Sequence, residues 1–249
     1  MRTAWPALTR ALPPALATAV LVAALYAVSR WHYLLFHSII ELLGVVASLG
    51  IFMVAWNTRR THRTGFLLFL GQAYLFIAAL DLLHALAYKG MGVFPGGGAN
   101  LPTQLWIAAR AFESVALLIA PLFVARAVPL AGTLLGSGAV AGALAAAIFS
   151  GHFPACFVEG QGLTGFKIGS EYAIVLTLAG ALALLARRKG RFEPTVFRAL
   201  ALSLVFKIGT EVSFTLYNDV YGFSNLIGHL LKLVSIALIY RALVETAIA

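Results

Sequence analysis

Apolar residues in this chain run on for about 20 positions at a time and stop at short breaks rich in glycine, proline or basic residues. Runs of that length, wound as helices, match a hydrocarbon core of about 30 Å. They fall near residues 34–56, 65–88, 103–125, 130–149, 169–187, 195–217 and 222–245, behind a shorter run from Ala15 to Val28. The spacing predicts eight helices. The breaks have readable chemistry: Asn57 to Thr64 is polar and basic, Gly96 to Gly98 follow Pro95, and Pro129 and Pro194 precede later runs. Residues 1–33 read as a signal-anchor helix and short loop, because Arg2 and Arg10 precede the first run and Leu25-Tyr26-Ala27 is a poor cleavage site. Residues 34–249 then form a seven-helix core.

Composition agrees. Of 249 residues, 61% are hydrophobic and 11% charged, which is the balance of a polytopic membrane protein rather than a soluble domain. The fold expected is an all-α membrane helix bundle with about eight spans. A net charge of +9 would suggest nucleic acid in a soluble protein, but the placement of the charges gives another reason for it. With a cytoplasmic N-terminus, the inner segments collect Arg2, Arg10, Arg59, Arg60, Arg63, Arg126, Arg187, Arg188, Lys189, Arg191, Arg198 and Arg241, whereas the outer loops hold Arg30, Lys89 and Lys167. That is the positive-inside pattern, so both termini are expected in the cytoplasm and no nucleic acid is expected as partner. The single cysteine, Cys156, cannot form an internal disulfide and reads as structural. His32 and His62 read as interfacial side chains, and Trp5, Trp31 and Trp56 as interface anchors. The outer loop from Ser150 to Gly169 is glycine-rich and dotted with aromatics, the composition of a lid or of a loose connector.

Depth organises the ionisable residues. His37 and Glu41 are four apart and share one face of the second helix. Asp81 and His84 sit near the outer end of the third, and Trp106, Arg110 and Glu113 make a stripe on the fourth. Glu171 opens the sixth, Lys207 and Glu211 lie in the outer half of the seventh with Asn218 beyond, and Asn225, His229 and Lys232 form a stripe on the eighth. At 1.5 Å of rise per residue, all lie within roughly 15 Å of the outer surface. Charges kept only for helix packing have no reason to gather in one leaflet. A shared, outward-facing polar pocket would gather them.

The expected ligand-binding set is therefore His37, Glu41, Asp81, His84, Trp106, Arg110, Glu113, Glu171, Lys207, Glu211, His229 and Lys232. Glu41, Asp81, Glu113, Glu171 and Glu211 outnumber Arg110, Lys207 and Lys232 by two, a deficit that protons or a bound cation must meet. Three readings follow: interhelical ion pairs acting as glue, a small polar ligand or protons in the pocket, or a divalent metal on His37, His84 and His229 with Asp81, or else Glu41, as the carboxylate. Haem on a histidine pair is a variant of the last. A rival from another class is an intramembrane metal-dependent hydrolase, with Glu41 or Glu113 as general base. A carrier would need a polar path through the inner half, which is nearly bare of such residues.

Several of these segments also form a recognisable set. Phe36-His37-Ser38-Ile39-Ile40-Glu41, Ala55-Trp56-Asn57, Leu68-Phe69-Leu70-Gly71, the block Asp81-Leu82-Leu83-His84-Ala85-Leu86-Ala87-Tyr88-Lys89-Gly90-Met91, Gln104-Leu105-Trp106-Ile107-Ala108-Ala109-Arg110 and Phe166-Lys167-Ile168 resemble the third class of bacterial MASE domains, the membrane-associated sensors. The resemblance runs from about residue 34 to the C-terminus. It implies a multi-span input module in the bacterial inner membrane, usually followed by a histidine kinase or a cyclic-dinucleotide enzyme. Here the sequence ends at Ala249, so an excised sensor or a stand-alone protein signalling laterally is expected. The expectation is a sensory binding module rather than an enzyme. Its expected partners are the lipid bilayer, a small ligand or ion, and a cytoplasmic output domain or second copy.

Overall fold

The computed structural model describes residues 5–60, 65–96, 98–215 and 222–248. Arg2, His62, Arg63 and Asn218 lie outside the described residues, as do the side chains of Trp5 and Arg10. Eight α-helices follow one another: α1 (Trp5–Trp31), α2 (Tyr33–Thr58), α3 (Gly65–Ala87), α4 (Asn100–Ile119), α5 (Leu130–Phe149), α6 (Gly165–Arg187), α7 (Pro194–Thr215) and α8 (Phe223–Ile248). Six of them, α2 to α6 and α8, are long and apolar enough to cross a membrane. The fold is a membrane helix bundle.

The helices form because each run is long and apolar and closes its own backbone hydrogen bonds, and their ends are set locally. The His32 ring accepts the Leu35 amide as an N-cap for α2, a defined job for a residue expected only to sit at the interface. Thr164 caps α6 in the same way, through the Lys167 amide. That cap corrects one boundary: α6 begins at Gly165, not near 169, so Lys167 leaves the outer loop and becomes a fully buried residue of its first turn.

Side chains are distributed inside out relative to a soluble bundle. Leu42, Val46 and Met53 of α2, Leu135 and Val140 of α5, Leu176 of α6 and Leu202 and Val205 of α7 are exposed, while His37, Glu41, Lys167 and Glu171 are wholly buried. That pattern suits lipid outside and polar contacts within.

The buried interior divides by height. Towards the connections α2–α3, α4–α5 and α6–α7 it is apolar, built on Ile51, Ala55, Phe66, Leu67, Leu70, Leu117, Leu200, Leu204, Ile239 and Leu243. Here α2 and α3 touch so closely that a Cβ on Gly71 would collide with the Cβ of Ala55. The polar exceptions are uncharged: Ser203 and Ser235 exchange hydrogen bonds between α7 and α8, and Gln72 donates to the Leu130 carbonyl. The other half, towards the α3–α4 and α5–α6 connections, holds the buried charges.

The α5–α6 connection is packed rather than loose. It folds a short antiparallel pair, β1 (Phe157–Val158) with β2 (Gly162–Leu163). The Asn100 side chain accepts both the Cys156 and Phe157 amides, and Gln104 donates to the Phe153 and Pro154 carbonyls, so the start of α4 holds the loop across the bundle end. Cys156 is buried there, and burial pushes its thiol up to about 12. Its burial supports the structural reading.

Candidate functional site

Each helix delivers its polar side chains by simple periodicity. On α2, His37 and Glu41 are one turn apart on the buried face. On α3 the buried stripe is Tyr74, Asp81, His84, continued by Tyr88 just beyond the helix end. Trp106, Arg110 and Glu113 face inward from α4, Lys207 and Glu211 from α7, and Asn225, His229 and Lys232 from α8. All twelve residues of the expected ligand-binding set are buried.

The charges join into one network over five helices. Glu113 receives Lys207 at 2.5 Å and the Tyr74 hydroxyl at 2.8 Å, and it pairs with Arg110. Arg110 also grips Asp81. Lys232 lies 3.7 Å from Asp81 and 2.5 Å from Glu41, whose other oxygen is 3.5 Å from His229. Three acids (Glu41, Asp81, Glu113) thus meet three bases (Arg110, Lys207, Lys232). Such closure is what lets buried charges persist at low dielectric.

Glu171 stands apart, 2.5 Å from Lys167 of its own helix, and that lysine also donates to the Phe214 carbonyl at 2.5 Å. With Lys167 counted inside the bundle, five acids face four bases, so the deficit is one charge rather than two. The odd acid is Glu211. It has no ion-pair partner among the described residues, and its Oε2 is buried without a hydrogen-bond partner there.

Above the network sits a group of rings. His37 stacks on Tyr88 with centroids 3.5 Å apart, and its Nε2 is 3.3 Å from Nε2 of His84. Trp106 takes the Arg110 and Lys232 cations over its face at 4.9 and 4.8 Å. Its indole nitrogen has no hydrogen-bond partner among the described residues.

Among the described residues, these contacts take up much of the space expected for an open pocket. They border a cavity of about 30 Å³ lined by His84, Tyr88, Thr103, Trp106, Asn225 and His229, and another of about 10 Å³ among Arg110, Glu113, Lys207, Glu211 and Lys232. The first can hold a water molecule or one ion, since roughly 10–15 Å³ suffices for a water. Drug-sized ligands need roughly ten times more.

Of the two carboxylates expected as alternatives beside the imidazoles, the bundle brings one. Asp81 is held by Arg110 and Lys232, whereas Glu41 lies beside the imidazoles: one ligating atom from each of His37, Glu41 and His229 lies within 4.8 Å of the others. His84 touches that group through His37. Sequence reasoning missed Tyr74 and Tyr88, although a signal was present. Tyr74 is two turns before Asp81 and Tyr88 one turn after His84, so both continue a stripe already drawn.

A multi-pass bundle with apolar outer sides and a charged interior in one half is the architecture of an integral membrane domain. Residues 28–249 match MASE3, the membrane-associated sensor domain, and the chain belongs to that family. No curated protein and no solved structure matches the chain significantly.

Proposed function

We propose that this chain is a signal-input domain of the bacterial inner membrane, with both termini in the cytoplasm and the polar half facing outward. It binds a small ligand, ion or proton among α2, α3, α4, α7 and α8. The observation that carries this is the closed ion-pair network: one added or removed charge at any member changes the balance on five helices at once. Packed interfaces of this kind respond by switching between discrete arrangements rather than by gradual deformation.

Of the five, α8 is placed to carry the change away. It contributes His229 and Lys232 to the network and then runs on past Leu243 into the apolar half. A cytoplasmic output domain or a second copy of the chain would read that movement. The small cavity favours an ion, proton or water-sized ligand over the lipid or amide substrate that a hydrolase would need.

The test is a distance measurement. Spin labels placed at the apolar ends of α2 and α8, on the full chain in lipid nanodiscs, should report a shifted distance distribution as pH is stepped from 8 to 5 or divalent cation is added. Glu41→Gln should abolish the shift while insertion persists. A distribution indifferent to every condition in the wild-type protein counts against the sensor reading.

A further inference from the structure

Proton bookkeeping in the ring group leads to a specific ligand class. The Nδ1 atom of His84 is 2.8 Å from the Pro102 carbonyl, and that of His229 is 2.8 Å from the Asn225 carbonyl. A carbonyl only accepts, so both Nδ1 atoms carry hydrogen. In each neutral ring Nε2 is then a lone pair.

The consequences run along two lines. Nε2 of His84, being an acceptor, must receive the hydrogen on Nε2 of His37 across 3.3 Å, which leaves Nδ1 of His37 as a lone pair. That atom is buried with no hydrogen-bond partner among the described residues. On the other side, the Nε2 lone pair of His229 faces Oε1 of Glu41 at 3.5 Å, and both atoms are again buried without a hydrogen-bond partner there. Two electron pairs do not face each other across a dry gap by preference. Something positive belongs between them.

We infer that His37, Glu41 and His229 form a binding site for one divalent transition-metal cation of the imidazole-preferring class, with zinc as the type. This deepens the sensor reading above and rests on it only for what the ion signals, not for whether it binds.

Three features beyond the donor set support it. The 3.5 Å between His229 Nε2 and Glu41 Oε1 is close to the ligand-to-ligand edge of a tetrahedron with bonds of about 2.0–2.1 Å. Each proposed ligand also has an outer partner of the kind that fixes metal ligands: the Asn225 carbonyl for His229, Lys232 for Glu41, and His84 backed by the Pro102 carbonyl for His37. Lastly, one of the three proposed ligands, His229, borders a cavity with room for a water molecule next to the site. The set of two imidazoles and one carboxylate matches borderline cations, not calcium or magnesium.

The ion would couple to the charge network through Lys232. A divalent cation on Oε1 of Glu41 weakens that carboxylate's hold on Lys232 and repels the ammonium, for which Asp81 waits at 3.7 Å. Binding would thus transfer Lys232 from a partner on α2 to one on α3.

The experiment titrates Co²⁺ and Zn²⁺ into the full chain in nanodiscs, reading visible d–d absorption and calorimetric stoichiometry. One equivalent of Co²⁺ with bands typical of four- or five-coordinate nitrogen and oxygen ligands, displaced by Zn²⁺, is expected. His37→Ala and His229→Ala should abolish the bands, His84→Ala should weaken affinity roughly 10–100-fold, and Lys232→Met should strengthen it on the order of tenfold. His152→Ala, on the exposed loop, should bind as wild type. Absence of bands in the wild-type protein, or bands that survive His37→Ala and His229→Ala, would overturn the site; the wild-type spectrum decides even where a variant fails to fold. The spin-label response to pH is a separate readout, so a failed metal site with a persisting conformational response leaves the sensor reading standing. Stoichiometric metal with silent labels does the reverse.

Discussion

The two halves of the bundle use the same helices and the same lipid exposure, yet they cohere differently. In the apolar half, small residues let backbones approach, as Gly71 does against Ala55, and the polar contacts are neutral pairs such as Ser203 with Ser235. The polar half replaces close packing with long side chains reaching across the bundle, from Lys207 to Glu113 and from Lys232 to Glu41. Close packing admits one arrangement, because any shift forfeits many contacts together. A set of ion pairs can exchange partners. Lys232, between Glu41 and Asp81, is already within reach of two. The halves therefore divide the labour of a switch: one is a rigid footing, the other is adjustable.

The largest expected effect breaks the polar half at its hub. Arg110→Met leaves Asp81 and Glu113 short of a cation in a dry interior, and loss of about 3–5 kcal/mol is expected, as for other buried pairs stripped of one member. Denaturant unfolding of the purified protein in mixed micelles measures it. A loss below about 1 kcal/mol would mean that water already solvates the network. In the apolar half, Gly71→Ala should cost about 1–3 kcal/mol in the same assay through forced separation of α2 and α3. It should leave Co²⁺ binding unchanged. A simultaneous loss of metal affinity would show that the footing and the adjustable half are not separable.

Within the polar half a finer contrast is available. Glu113 has three partners and Glu211 has no ion-pair partner among the described residues. Arg110 and Glu113 on α4, Lys167 and Glu171 on α6 and Lys207 on its own helix surround Glu211 with charges already spoken for. Glu113→Gln should destabilise by about 3 kcal/mol, and Glu211→Gln by less than about 1 kcal/mol, since a neutral amide suits a site whose cations are taken. Equal losses would indicate that Glu211 is ionised and served by a partner outside the described residues.

Much of this was legible in the sequence, for physical reasons that also mark where reading stops. The apolar runs predict the eight helices, six of which are long and apolar enough to cross a membrane among the described residues, and the i, i+4 spacing of His37 with Glu41 places both on the buried face observed. The Asp81 to Met91 block and its neighbours pointed to the membrane-associated sensors, the family to which the chain belongs. Depth alone gathered the right residues into one half, but depth is one coordinate. It does not tell which carboxylate turns towards the imidazoles, so Asp81 and Glu41 stood as alternatives beside the histidines, and the bundle brings Glu41. Lys167 was assigned to the loop because its run of apolar neighbours starts later. The Thr164 cap begins the helix earlier and carries the lysine inside.

The smallest expected effect lies on the lid of the polar half and separates its outer tether from its inner charges. Glu159, fully exposed, accepts the Ala99 amide at 3.1 Å just before α4 and lies 3.4 Å from Lys89. The Ala99 N–H first, then Lys89, hold its carboxyl below the usual carboxylate range. A carboxyl depressed in the folded state contributes fully above its unfolded value, about 4.3, and loses that contribution as pH falls through the folded value. Hydrogen exchange at the Ala99 amide, corrected for intrinsic rates, should therefore hold steady from pH 7 to about 5 and lose protection below roughly 4. Glu159→Gln should lower protection at neutral pH and flatten the profile. High salt should leave the wild-type profile almost unaltered, because screening weakens the exposed Lys89 contact more than a direct hydrogen bond to a backbone amide. If Glu159→Gln retains the acid-induced loss, the loosening begins among the buried acids beneath, and the lid follows the polar half instead of sealing it.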